Sequence, residues 1–251
     1  MPELPEVEVV RRSLSNFIPG LKINKVLIFN SNLRFKISKN FKKNIEKQII
    51  TSISRRAKFL LIKLKNNKVI LIHFGMTGKI FIRNNKKKTT SVSSFYYNKK
   101  FKKKHNHLIF QLNNSIDLIY NDVRKFGFFK ILEFDMLNFN KHIAKLGPEP
   151  LSNKFNFNYL KSKITKSKKN MKNFMMDQKY VSGLGNIYVN EILFLSSINP
   201  RKYVCKLSNE EVVNLLKNTK KILDLSIQLG GSSIRDFNST SGQNASFCNF
   251  H

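Results

Sequence analysis

Apolar residues recur at helical spacing from the start of the chain. Val7, Val10, Leu14 and Phe17 share one face of a helix predicted over residues 5–18. Pro5 suits its first turn, and Glu6 and Glu8 precede Arg11 and Arg12 in the order that the helix dipole favours. The period then shortens. Runs rich in branched and aromatic residues at 23–29, 59–64, 69–74, 79–82, 108–112, 116–120 and 128–132 predict strands separated by polar loops, the pattern of a sandwich or barrel. From about residue 153 the spacing is helical again, most plainly over 209–229, where Val212, Leu215, Leu216, Ile222 and Leu223 form an apolar stripe. The change falls at Leu146-Gly147-Pro148-Glu149-Pro150, whose glycine and prolines punctuate the chain. The reading is an α+β chain with a β-rich N-terminal domain, a helical C-terminal domain and a cleft between them where a site is expected. No internal repeat is visible.

Composition adds the class of partner. With 41% hydrophobic residues the chain can bury a core, so a disordered basic tail is excluded. Lys plus Arg number 46 against 15 Asp plus Glu, a formal charge of +31. Part of this follows a bias toward Lys, Asn, Ile and Phe, the residues of A/T-rich codons, and any single lysine run is by itself a solvated loop. The excess still calls for a polyanion, and in a chain without a lipid anchor that is nucleic acid before a membrane surface. The apolar runs fall well short of the roughly 18 residues a membrane span requires. The opening MPELPEVEVV is acidic and broken by two prolines, unlike a secretory signal, so a cytoplasmic location is expected. Two cysteines, Cys205 and Cys248, do not make a disulfide scaffold.

The same opening carries candidate chemistry. Removal of Met1 exposes the secondary amine of Pro2, and an α-amine titrates near ~7.7–8.0, well below a lysine at ~10.4, so much more of it is an uncharged nucleophile at neutral pH. Such an amine attacks an aldehyde-like carbon and forms an iminium. Glu3 and Glu6 beside it can shuttle protons or stabilise the cation. Taken alone, a Met-Pro start is incidental and the two glutamates are helix-capping residues.

The motifs taken together resemble a known family. Met1-Pro2-Glu3-Leu4-Pro5-Glu6-Val7-Glu8, Ser54-Arg55-Arg56-Ala57-Lys58-Phe59-Leu60, His73-Phe74-Gly75-Met76-Thr77-Gly78, Asn121-Asp122-Val123-Arg124-Lys125-Phe126-Gly127, Leu146-Gly147-Pro148-Glu149-Pro150-Leu151, Asp177-Gln178 through Gly183-Leu184-Gly185-Asn186-Ile187-Tyr188, and Gly230-Gly231-Ser232-Ser233-Ile234-Arg235-Asp236-Phe237 follow the order and spacing of bacterial formamidopyrimidine-DNA glycosylase. That family removes oxidised purines such as 8-oxoguanine and then cuts the strand. The resemblance implies a catalytic β-sandwich with its leading helix over 1–133, a linker over 134–152, a helix-two-turn-helix DNA-binding domain over 153–237, and a remnant of a zinc-finger region over 238–251. DNA lies in the cleft between the two domains.

It also implies roles. Pro2 is the nucleophile at the sugar C1′, Glu3 the proton donor near the sugar ring, and Glu6 a possible catalytic support. Lys58 matches a lysine assigned to proton donation in β-elimination, although an ammonium beside Arg55 and Arg56 is equally a phosphate clamp. Met76, Arg124 and Phe126 match the side chains that fill the gap left by an extruded nucleotide. By residue type alone, Met76 and Phe126 belong in a core. His105 stands where the family has a DNA-contacting histidine, while His107 is incidental; on sequence alone either is a structural histidine. Asn186 at a helix N-terminus, with Lys166, Lys168 and Lys172 leading into that module, fits phosphate contacts, though a solvated lysine face has the same composition. Ser232 and Ser233 fall in the loop that reads the lesion, or are a polar loop only.

The pattern also departs from the family. Val123 replaces a proline and Lys125 an arginine. The family's four-cysteine zinc finger and its phosphate-binding arginine have no counterpart, since Cys248 and His251 offer two ligands where structural zinc takes four. No cofactor is therefore expected. The expected partner is double-stranded DNA containing oxidised or abasic nucleotides, met by a monomer with no membrane role, in the nucleoid region of a bacterial cytoplasm. Two other readings stand beside this one: an endonuclease VIII type acting on oxidised pyrimidines, and a non-catalytic protein that binds damaged DNA.

Overall fold

The computed structural model describes residues 2–84, 89–91 and 102–231. The N-terminal part consists of helix α1 (Leu4–Ser15), strand β1 (Ile23–Ile28), the short helix α2 (Phe41–Ile45), and strands β2 (Ile50–Arg56), β3 (Phe59–Leu64), β4 (Lys68–His73), β5 (Lys79–Arg83), β6 (Thr89–Ser91), β7 (Asn106–Leu112), β8 (Asp117–Asn121) and β9 (Phe128–Glu133). They form two antiparallel sheets, one in the order β1-β7-β8-β5-β6 and one in the order β2-β3-β4-β9. The C-terminal part holds α3 (Phe157–Ile164), α4 (Met171–Met176), α5 (Asn186–Leu195) and α6 (Asn209–Gln228). The α+β expectation and the predicted sandwich are what the chain forms.

Alternation along the strands sends residues to two cores. Leu60, Ile62 and Leu64 of β3 meet Val26, Leu108, Phe110, Leu118 and Tyr120 of the other sheet, with Val7, Val10 and Leu14 of α1 joining them. The intervening Phe59 and Leu61 face outward, where Leu137, Ile143 and Leu146 cover them. Both faces of β3 are thus buried, which is why its sequence reads as a continuous apolar run. Residues 134–152, expected as a linker, supply that cover and include a 3-10 turn at Phe134–Phe139. The helical part has its own core, built around Phe174, Leu184, Tyr188, Ile192, Leu215 and Leu223. No helix among the described residues is long and apolar enough to cross a membrane.

Some local expectations need correcting. The first helix ends at Ser15 rather than 18, and Phe17 is 61% exposed while Ile18 is fully buried. The chain has already left the helix there, so the 3.6-residue period no longer decides which side chain points inward. Strand β2 was not expected, because its buried residues are Ile50 and Ile53; a register shift between Ile50 and Ser52 breaks the two-residue alternation. Helix α2 escaped notice because it is a single turn that buries only Phe41 and Ile45.

Candidate active site

The N-terminus is held against the helical domain by its own backbone. Leu4 N–H donates to the Gly183 carbonyl at 3.0 Å, which brings Pro2 and Glu3 to the start of α5. Pro2 is buried and Glu3 is only 2% exposed. Glu3 is the N-cap of α1, and its own backbone N–H donates to Glu6 Oε2 at 2.8 Å. Its side chain reaches the N-terminus of the other domain's helix, where Oε1 accepts from Ile187 N–H at 3.1 Å. Gly185 makes this approach possible: a Cβ there would lie 2.4 Å from Glu3 Oε1. Glu3 Oε2 is buried with no hydrogen-bond partner among the described residues.

Lys58 supplies the opposing charge, from the turn between β2 and β3. Burial raises the Glu3 carboxyl above its ordinary range, with the Lys58 charge and the Ile187 and Gly185 N–H groups opposing and Glu6 adding to the rise. Burial likewise lowers the Lys58 ammonium, against the charges of Glu3 and Glu6. Burial thus favours the neutral form of each group, and a carboxyl kept protonated is one that can donate its proton. Glu6 is almost fully buried and accepts from Tyr188 Oη at 2.6 Å, and Tyr188 Oη in turn meets Ser226 Oγ at 2.6 Å, so both α5 and α6 support the first turn of α1.

The arginines flanking Lys58 are committed elsewhere. Arg55 bonds Glu8 Oε2 at 3.0 Å and Glu149 Oε2 at 2.6 Å. Arg56 bonds Glu149 Oε1 and Ser182 Oγ at 2.8 Å and the Gly147 carbonyl at 2.6 Å. Ala57 N–H adds a third bond to Glu149, at 2.6 Å. Burial would raise Glu149, but the Arg55 charge and these hydrogen bonds hold it below the usual carboxylate range. The two arginines join the domains and leave Lys58 as the cation of this turn that faces Glu3.

His73, at the end of β4, is a residue that sequence reasoning missed. Its ring stacks on Phe128 at 5.1–5.4 Å from Phe59 and Phe128, and its Nδ1 accepts from Gly75 N–H at 3.0 Å. Burial, reinforced by Lys58, Arg34 and His142, pushes it down to about 4, so it is neutral at physiological pH with its proton on Nε2. The signal was present in the sequence, since His73 opens the Gly75-Met76 motif, but a histidine at a strand end is ordinary by itself.

The expected wedge residues are on the surface. Met76 is 43% and Phe126 42% exposed, against the core placement their types suggest. They lie on the loops after β4 and β8, and the Arg124 guanidinium sits 4.5 Å from the centre of the Phe126 ring. His105 is half-buried just before β7. His107 is a satisfied structural histidine, 3% exposed with Nε2 at 2.7 Å from the Asp122 carbonyl. Asn186 is exposed as the first residue of α5, and Lys166 and Lys168 are exposed between α3 and α4, while Lys172 lies half-buried in α4. Ser232 and Ser233 and the segment 238–251 lie outside the described residues. Cys205 is exposed, and among the described residues no group of three or more His, Cys, Asp or Glu could hold a metal ion.

Comparison with known proteins gives this geometry a context. Residues 1–129 match the formamidopyrimidine-DNA glycosylase N-terminal domain, and residues 146–238 match the formamidopyrimidine-DNA glycosylase H2TH domain. A formamidopyrimidine-DNA glycosylase of Rickettsia bellii is 38% identical over 94% of this chain and 82% of its own length. That of Carboxydothermus hydrogenoformans is 37% identical over 98% and 85%. Among solved structures, a Lactococcus lactis variant in complex with Fapy-dG-containing DNA superposes with a TM-score of 0.83 at 33% identity, covering 97% of this chain and 85% of that one. The Lactococcus lactis enzyme bound non-covalently to DNA containing an AP site superposes with a TM-score of 0.80 at 33% identity, covering 93% and 83%. With both domains matched and the similarity running through nearly the whole sequence, the chain belongs to the formamidopyrimidine-DNA glycosylase family and is a DNA-binding glycosylase of base excision repair.

Proposed function

We propose that this glycosylase excises oxidised purines, 8-oxoguanine and formamidopyrimidines, from duplex DNA and then cleaves the strand as a lyase, acting as a monomer. The observation that carries the reading is the buried Glu3 carboxyl at the N-terminus of α5, next to Pro2 and facing Lys58, with its pKa raised. After Met1 is removed, the Pro2 nitrogen lone pair attacks C1′ and the base departs with the electrons of the glycosidic bond. The ammonium so formed at Pro2 gives its proton to the departing base, the freed nitrogen lone pair makes a second bond to C1′, and the ring C1′–O4′ bond breaks as Glu3 gives its proton to O4′. The product is an iminium between Pro2 and the opened sugar. Loss of a C2′ proton to water then breaks the C3′–O3′ bond and expels the 3′ phosphate, to which the Lys58 ammonium gives a proton, and water releases the sugar from Pro2.

Met76, Arg124 and Phe126 are assigned to the space the extruded nucleotide leaves. His105, Asn186, Lys166 and Lys168 are assigned to the phosphate backbone, with His73 Nε2–H as a further donor near Lys58. Ser232 and Ser233 are assigned to the extruded base. No cofactor enters these steps.

Borohydride reduction of the iminium tests the reading. Untagged protein on a duplex containing 8-oxoguanine should give a covalent band, which an N-terminally extended form should not, and Glu3→Gln should slow its appearance. A duplex with an oxidised pyrimidine should trap less. Absence of a band from protein that still shifts abasic duplex would leave a damaged-DNA binder without the chemistry.

A further inference from the structure

Asp122 is fully buried immediately after β8, and the backbone and side-chain donors of both exposed wedge loops converge on it. Its Oδ1 accepts from Thr77 Oγ1, the residue next to Met76, and from Arg124 N–H at 3.2 Å. Its Oδ2 accepts from Gly127 N–H, next to Phe126, at 2.9 Å and from Tyr120 Oη at 3.1 Å. Arg124 N–H also reaches Thr77 Oγ1 at 3.0 Å, so the two loops are bonded to each other as well as to the carboxyl. The main chain of Asp122 extends the knot: its N–H donates to the His105 carbonyl at 3.0 Å, and its carbonyl lies 2.7 Å from His107 Nε2. The loops also touch directly, since Gly75, at φ 62°, would place a Cβ 2.4 Å from the Phe126 carbonyl carbon.

From this geometry we infer that Asp122 is the positioning residue of the wedge: its buried carboxyl fixes the loops of Met76, Arg124 and Phe126 relative to one another, and its main chain ties in His105, before DNA is bound. The inference rests on the wedge role proposed above and adds what holds the wedge. A side chain that fills a gap in a base stack gains little if it must first be ordered on its loop, and a polar network with each acceptor satisfied supplies that order in advance. Each carboxyl oxygen takes two donors, so Asp122→Asn turns an NH2 group onto two donors and separates the loops at one end with little change in volume.

The test separates opening of the stack from the chemistry. A duplex must be unstacked before excision, whereas an abasic site in a single strand has no stack to open. Asp122→Asn should lower excision of 8-oxoguanine from duplex by about 10²-fold, the cost of a misplacement near 1 Å. Borohydride trapping on a single-stranded abasic oligonucleotide should stay near the wild-type rate, which also shows that the variant is folded. Thr77→Val, which keeps the carboxyl and removes one donor, should shift the same ratio by less. 2-Aminopurine placed beside an abasic site in duplex should brighten on binding of the wild type and brighten less with either variant. Wild-type excision by Asp122→Asn, or an equal loss on both substrates by both variants, overturns the inference. Failure of the wild type itself to trap would count against the lyase reading alone, because the 2-aminopurine signal still reports the wedge.

Discussion

Replacing Gly185 by alanine is the sharpest probe of the Glu3 site, because it adds one methyl group at a known distance from one carboxyl. The Cβ would sit 2.4 Å from Glu3 Oε1 and 2.5 Å from its Cδ. Contact between such atoms needs more than 3 Å, so something must yield by about 1 Å. The backbone is not the source of strain, since φ −142° and ψ −164° are open to alanine. Nor can the carboxyl retreat easily: Glu3 is 2% exposed, and its N–H is tied to Glu6. The carboxyl therefore leaves Ile187 N–H. Overpacking of this kind costs about 1–3 kcal/mol in stability. A 1 Å displacement of a reacting group costs on the order of 10²-fold in rate. Single-turnover excision of 8-oxoguanine should fall by that factor for Gly185→Ala while a thermal melt shows the protein folded. Combined with Glu3→Gln, the second substitution should add little, because both act on the same carboxyl. Excision within twofold of wild type, or losses that multiply in the double variant, would refute the assignment of Glu3 as the proton donor.

Other consequences concern stability and DNA affinity. Glu149→Gln removes the negative charge shared by Arg55 and Arg56 and turns one of the two accepting oxygens into an NH2 donor, and should cost about 3 kcal/mol in urea unfolding, as for a partly buried ion pair losing one member; an unchanged midpoint would reject the pair as the domain joint. Since Glu149 and Glu8 are held below their unfolded values, their contribution is present above about pH 4.5 and is lost as pH falls through the folded values. His73 acts in a higher window: a base depressed to about 4 takes its proton more readily when unfolded, so stability should fall by about 3 kcal/mol between pH 6.5 and 4, and His73→Gln should flatten that stretch of the profile. With a formal charge of +31, affinity for abasic duplex should fall steeply between 50 and 200 mM salt; a slope near zero would show that the lysines do not neutralise phosphates.

Much of the scaffold was legible in the spacing of apolar residues. Strands such as β3 and β4 are buried on both faces and announce themselves as uninterrupted runs, and α6 carries its stripe over 20 residues with a Ser208–Glu211 capping box ahead of it. Strand β2 was not legible, because a bulge removes the alternation that marks a strand. The end of α1 was misplaced for a related reason, since a periodic pattern continues on paper after the backbone has turned away.

The site divides in the same way. The resemblance of the motifs to the family singled out Pro2, Glu3, Lys58, Met76, Arg124, Phe126 and Asn186, whereas residue type alone placed Met76 and Phe126 in a core. Sequence could not say that Arg55 and Arg56 are taken up by Glu8 and Glu149 while Lys58 is left for Glu3, or that His73 is neutral. Nor could it show that Asp122 gathers the loops that carry Met76, Arg124 and Phe126. Type and order are properties of the chain itself. Burial, pairing and pKa depend on which groups lie within a few ångströms, and folding alone brings Glu3 to Ile187, 184 residues away.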